Sequence, residues 1–483
     1  MRALSSFSYK RVCAYSLVMV SIMALTKMSD GYALAIVIPI AFVWGISRAD
    51  RLTYAFILSM SMVLCNDFFV PKVLSAIAIY RLLVIFMSSL GLVYIIQGRC
   101  NAVLRLFLLI YLYIGFMILS SFEGWNLMIS MMKMVLFSGT YLFLFAGSNR
   151  LLREGDAEIS SARSAILAMA VFFVIGSVCL IPFPAISLLN KYELSVDELL
   201  ATGLTLFKGM SLHSQMLGPM VAVLAVFLLS DLLFCVARVN VLYLILLFCC
   251  PILVYKTGSR TAMGTLIVGC LSVFWCLLRN QDLPKTWRRR MLKSLVVGGV
   301  LMIILGLCLP TVREKTAQFI LKFDKNVASI SDVALVEVTA TRQGKFDECL
   351  YNFKRSPLIG NGFQVSEEYD GLNVPVSKLM SAPVEKGFLI GALLEEGGVI
   401  GICLFGVFVF FMCGQLLKKR CYVAFCTFCA MLVSNCGEFT IFSMTAVGGF
   451  HWTLVFCATV FDVDRNRKIK MLQSYAHEYN RFG

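Results

Sequence analysis

Residues 388–417 read FLIGALLEEGGVIGICLFGVFVFFMCGQLL. Two acids and no cation interrupt thirty residues, and Lys418-Lys419-Arg420 close the run. A bilayer core takes about 20 apolar residues as a helix, so this run is long enough to cross it. Working outward, thirteen further apolar segments stand at Val12–Met28, Gly31–Ile46, Leu52–Cys65, Val73–Ile96, Ala102–Ser121, Trp125–Gly147, Ala165–Pro182, Met216–Ser230, Val241–Tyr255, Ala262–Leu278, Leu295–Pro310, Tyr422–Phe442 and Ala446–Phe461. The 483-residue chain is 59% hydrophobic and 15% charged, against roughly 25% charged in a soluble domain. A soluble globular protein and a disordered chain are both excluded. The reading is an all-α polytopic membrane protein with about 14 transmembrane helices. Helices one to eleven fall in 1–310, an external loop in 311–387, helices twelve to fourteen in 388–461 and a basic tail in 462–483.

Lys and Arg in short loops set orientation. With a cytoplasmic N-terminus and strict alternation, 25 of the 43 basic residues fall on the cytoplasmic side, among them Arg48, Arg51, Arg150, Arg163, Arg289 and Lys418. The opposite short loops are nearly bare. Both termini are then cytoplasmic, and the net charge of +15 is explained without nucleic acid. No signal peptide pattern precedes the first span. The external loop is the one segment large enough for a small cap. In it Phe346, Cys349, Leu350 and Phe353 recur at helical spacing, predicting a helix with one apolar face that stops before Ser356-Pro357. Gly360-Asn361-Gly362 reads as a turn.

Ionisable residues inside a membrane are costly and mark functional sites by default. Arg81 and Lys133 lie well inside their helices, Glu395 and Glu396 about two turns into the twelfth span, and Glu438 near the outer end of the thirteenth. Arg260 sits in a short outer turn. All fall in the outer half, and the inner half has no comparable set. Other readings stand beside this one. Lys133 and Arg81 have stems long enough to snorkel outward. Glu395 and Glu396 can pair with them for packing alone, and Arg260 can be an interface anchor. Convergence of cations on one leaflet instead suits an anionic head group whose tail stays in lipid, since a guanidinium grips phosphate with two hydrogen bonds.

The eighteen Cys sit almost entirely in apolar runs, where Cys is a small hydrophobe, and Cys426-x-x-Cys429 reads as packing. Asp462-Val463-Asp464 has the form of a metal–diphosphate motif but lies on the cytoplasmic side, opposite the basic cluster. There is no P-loop, H-E-x-x-H or G-x-S-x-G, so neither a metal nor another cofactor is expected.

Four stretches carry a family resemblance. Lys208-Gly209-Met210-Ser211-Leu212-His213-Ser214-Gln215-Met216-Leu217-Gly218 resembles the R-G-x-x-x-H/P-N-x-x-G segment of the O-antigen ligase/polymerase superfamily. Thr257-Gly258-Ser259-Arg260-Thr261-Ala262 resembles its T-x-S-R-x-A turn. Thr341-Arg342 with Pro357-Leu358-Ile359-Gly360-Asn361-Gly362-Phe363 resembles its external loop, and Glu396-Gly397-Gly398-Val399-Ile400-Gly401 its following E-x-G-x-x-G. The ligases carry a His before that last motif; here Val384-Glu385-Lys386-Gly387-Phe388 has none, and Lys208 replaces an Arg. The chain is therefore similar to the polymerase-type members. The resemblance implies a fold related to the GT-C glycosyltransferases, a bacterial inner membrane, and joining of undecaprenyl-diphosphate-linked repeat units of O-antigen, capsule or exopolysaccharide. It also implies a flippase and a chain-length regulator as companions.

In such a reaction charge develops on the departing diphosphate. Arg260 and Arg342 are the first candidates to receive it, with Lys208 and Arg81 second. Glu385 is the candidate base, with Glu396 less direct; Lys133 and His213 complete the substrate-binding set. One preorganised donor contributes about 3–4 kcal/mol to such a step. Two other readings remain open: a ligase transferring polysaccharide to lipid A-core, and a lipid-linked glycan flippase.

Overall fold

In a computed structural model, the described residues are 7–71, 100–188, 207–235, 240–280, 286, 289, 293, 346–365, 387–443 and 447–482. Among them the ordered elements are helices, with two isolated β-bridges, Cys65 with Ser211 and Leu188 with Phe207. In chain order the helices are α1 (Tyr9–Met28), α2 (Tyr32–Ile46), α3 (Ala49–Leu64), α4 (Ile110–Phe122, entered through the tighter turn Leu104–Leu109), α5 (Leu127–Glu154) and α6 (Asp156–Ala170, running on through Val171–Ile175 to Gly176–Cys179). They continue with α7 (Ser214–Phe234), α8 (Val241–Lys256), α9 (Arg260–Arg279), α10 (346–355), α11 (Leu389–Lys418), α12 (Tyr422–Asn435) and α13 (Val447–Phe482). Seven are long and apolar enough to cross a membrane, and three shorter ones are apolar too. The chain is thus a helical, polytopic membrane-type protein.

Side-chain caps start several helices where the sequence supplies them. Asn126, Asn240 and Ser259 accept hydrogen bonds from Ile129, Leu242 and Ala262 N–H groups, satisfying donors that a helix start leaves open. Contacts sort the helix termini into two ends. At one, Gly218 near the start of α7 packs on Thr257 and Ser259 at the start of α9, and Gly437 beyond α12 lies against Thr261. At the other, Asp231 of α7 meets Arg163 of α6 and Tyr243 of α8. We refer to the Arg260 end and the Asp231 end.

Twelve of the fourteen expected segments coincide with helices; Val73–Ile96 and Leu295–Pro310 lie outside the described residues. Three expectations are corrected. The thirteenth segment stops being helical at Asn435, not Phe442, because the Asn435 amide turns the chain: its oxygen accepts from Thr440 N–H at 2.8 Å while its nitrogen donates to the Met431 carbonyl. On α10 the buried residues are Cys349 and Asn352, whereas Phe346 and Leu350 are exposed, so the helix seats a polar side chain inward.

The third correction concerns the charges. The Asp231 end holds a buried network of its own. Arg163, expected as a loop charge, lies inside α6, which begins at Asp156 rather than Ala165. Its guanidinium donates to Asp231 at 2.9 Å with both groups essentially unexposed, and stacks 4.2 Å from the centre of the Phe461 ring. Tyr243 donates to the other Asp231 oxygen at 2.6 Å. The Asp-Val-Asp motif belongs to this packing. Asp462 accepts from Ala424 N–H at the start of α12, and Asp464 pairs with Lys468, which also reaches Asp156. Burial pushes the Asp462 carboxyl up to about 7, with Arg465 and the Ala424 amide acting against that rise. Cys426 is likewise a packing residue, its sulfur 3.7 Å from that of Cys276.

Removing one partner of a buried pair strands the other charge at a cost of about 3–5 kcal/mol, while replacing both with apolar groups is often neutral. Arg163→Met alone is expected to cut membrane abundance and lower the melting temperature in detergent. Arg163→Met with Asp231→Leu should restore much of both, leaving the Tyr243 hydroxyl as the remaining cost. Equal losses in single and double variants would contradict this account.

Candidate functional site

The site begins at a helix break. Gly398 in α11 has φ +59°, ψ −160°, a conformation open to Gly, and it interrupts the helix between Gly397 and Val399. A break inside a helix exposes main-chain groups that otherwise pair within it. The loop after α10 supplies their partners. Val399 and Ile400 N–H groups donate to the Pro357 and Leu358 carbonyls at 2.9 and 3.2 Å. Asn361 and Gly362 N–H groups donate to the Glu395 and Glu396 carbonyls at 2.9 and 3.1 Å. This close approach requires glycine on the loop as well. Gly360 has φ +78°, and a Cβ there would stand 2.2 Å from the Glu396 carbonyl oxygen.

Side chains extend the joint. Asn361 donates to the carbonyls of Asn352 and Glu395, Asn352 donates to a Glu395 carboxylate oxygen at 3.2 Å, and Ser120 of α4 donates to the Glu396 carbonyl at 2.8 Å. Phe363 then enters an aromatic cluster with Phe137 and Phe442. Ser130 donates to the Phe363 carbonyl, and Lys133 Nζ to the Gln364 carbonyl at 3.2 Å. Lys133 is 4% exposed. It does not snorkel; it holds the loop where Gln364 takes the left-handed φ of +52°. Glu395 and Glu396 are equally buried.

A second group forms around the Lys208–Gly218 stretch. Asn66 donates to the Gly209 carbonyl and its N–H to that of Met210, anchoring the segment after α3. Lys208 pairs with Asp67 at 2.8 Å, so its charge has an acidic neighbour that an anionic ligand must compete with. His213 is the N-cap of α7: its Nδ1 accepts from Gln215 N–H at 3.1 Å, which leaves Nε2 as the donor of a neutral ring. Arg260 is the first residue of α9, half-buried, and follows the left-handed Gly258.

Residues 436–443 join the two groups. Gly437 rests on Thr261 beside Arg260. Phe442 lies 5.3 Å from each of Phe363, Phe137 and Tyr113 by ring centres. Lys133 and Glu396 are thus brought together on one side, Lys208, His213 and the Arg260 turn on the other. Arg81, Arg342 and Glu385 lie outside the described residues. Asp67, Asn352 and Tyr113 were not anticipated from the sequence; the Asn66-Asp67 pair directly after an apolar run was the one available signal. Among the described residues no cluster of three or more His, Cys, Asp or Glu is placed to hold a metal. No family model and no curated protein matches the chain.

Gly360→Ala should destabilise strongly, because the added methyl group meets main chain and the φ is strained. Gly406→Ala, whose Cβ meets nothing within 4 Å, should be neutral or slightly stabilising as an internal helix position. Melting temperatures of the two purified variants compare them directly. Similar values would contradict the docking of the loop.

Proposed function

We propose that this protein is a polysaccharide polymerase that joins lipid-diphosphate-linked oligosaccharide repeats at the outer face of a bacterial inner membrane. The observation that carries the reading is the loop–helix joint. Two stretches that separately resemble the superfamily's external loop and its following helix dock on each other through four main-chain hydrogen bonds around paired left-handed glycines. The Lys208–Gly218 and Thr257–Ala262 stretches likewise pack together through Gly218. The finer architecture belongs to the same proposal: about fourteen spans related to the GT-C fold, the Arg260 end facing the periplasm, and both termini in the cytoplasm.

In this reading the acceptor hydroxyl attacks the anomeric carbon, the bond from that carbon to the phosphate oxygen breaks, and the electron pair leaves with the diphosphate. Arg260 and Arg342 receive the developing charge. Lys208 contributes after exchanging Asp67 for phosphate. Glu385 or Glu396 takes the acceptor's proton, and a carboxylate suits that task when held in reach of the hydroxyl. Lys133 sets the loop against α11. A lipid-linked glycan transporter is the second reading, and the buried Arg163–Asp231 network favours it, because alternating access uses polar groups in both leaflets.

Deletion in the native cell followed by gel analysis separates these readings. Loss of polymerase leaves single repeats exported, loss of a ligase leaves long chains on the carrier, and loss of a transporter leaves repeats inside. Within the polymerase reading, Arg260→Ala should abolish long chains at normal membrane abundance. Arg260→Lys should keep only a small fraction, since a point charge does not replace a bidentate fork. Full-length chains from Arg260→Lys would remove Arg260 from the diphosphate site.

A further inference from the structure

Tyr113 of α4 has a fully buried side chain, and its hydroxyl has no hydrogen-bond partner. Buried tyrosines ordinarily find one, and a Phe would fill the same space without stranding a polar group. The ring is firmly placed. It stacks on Phe442 at 5.3 Å and 13°, and meets Phe405 edge-on at 5.7 Å. It leans on Gly401 of α11, where an added Cβ would stand 3.7 Å from Tyr113 Cε2. Further along the same face of α4, Met117 lies against Gly397 and Ser120 donates to the Glu396 carbonyl. Tyr113, Met117 and Ser120 are spaced i, i+4, i+7, so one stripe of α4 follows the broken helix. Glu396, itself fully buried, lies on the stretch of α11 that this stripe covers.

We propose that Tyr113 is a positioning residue for Glu396: its hydroxyl donates to the carboxylate through one bridging water and holds it toward the acceptor. The proposal rests on the polymerase reading above. In the step it serves, the acceptor oxygen bonds to the anomeric carbon, the bond to the diphosphate breaks, and the acceptor's proton passes to Glu396. Tyr113 keeps its own proton throughout.

The test is a double-mutant cycle on the full chain in nanodiscs, using native undecaprenyl-diphosphate-linked repeat units as substrate. Tyr113→Phe should lower kcat about tenfold, the scale of one hydrogen bond to a charged group, with KM unchanged and the melting temperature unchanged or raised. In the Glu396→Gln background the same change should have no effect on kcat. Wild-type kcat in Tyr113→Phe, or equal losses in both backgrounds, would overturn the proposal. Should Glu396→Gln be inactive, infrared difference spectra decide. The carboxylate band lost in Glu396→Gln should shift in Tyr113→Phe, and an unshifted band counts against the pair. Wild-type protein that builds no chains would defeat the polymerase reading instead, while the infrared comparison still judges the pair.

Discussion

The rest of the site depends on the break at Gly398. A helix interrupted inside a membrane leaves N–H and C=O groups that lipid does not satisfy, at several kcal/mol for each unsatisfied group. Non-helical backbone survives at that depth only where protein or trapped water covers it. Here the Pro357–Gly362 loop provides the cover, pairing with Glu395, Glu396, Val399 and Ile400. The break therefore fixes where the loop goes, and the loop fixes Lys133, Asn352 and both glutamates around it. Moving any one of the three positive-φ glycines, Gly360, Gly362 or Gly398, to a residue with a Cβ sets strain against that arrangement.

The two ends of the helices are organised differently. At the Asp231 end the buried charges are paired among themselves: Arg163 with Asp231, Asp464 with Lys468, and Asp462 with the start of α12. Such an arrangement joins α6, α7, α8, α12 and α13 and specifies how they pack. At the Arg260 end, main chain and side chains form a surface around a basic turn, with Lys208 held by a partly exposed Asp67.

Much of the architecture was legible because apolar runs of membrane length are a strong signal. The end of α10 before Pro357 and the turn at Gly360-Asn361-Gly362 were also legible, since Pro and Gly act through local backbone geometry. What escaped was tertiary. Arg163 and Asp231 stand 68 positions apart, and each looks like an ordinary charge at the edge of an apolar run. Asn352 lies beside the apolar stripe and carries no sequence signal of its own, although it reaches Glu395. Tyr113 is invisible inside its run, because hydropathy does not register a hydroxyl that lacks a partner. The helical reading of Cys436–Phe442 failed for the opposite reason: its residues are apolar enough to extend a span, and only the Asn435 side chain reveals the turn.

The most direct measurement is a structure of the protein in a lipid nanodisc with an undecaprenyl-diphosphate-linked repeat unit bound. The account predicts diphosphate density at the Arg260 end, against the start of α9, with the sugar directed toward Glu396 and the Pro357–Gly362 loop. Diphosphate density at the Asp231 end, beside Asp462 and Arg465, would contradict it.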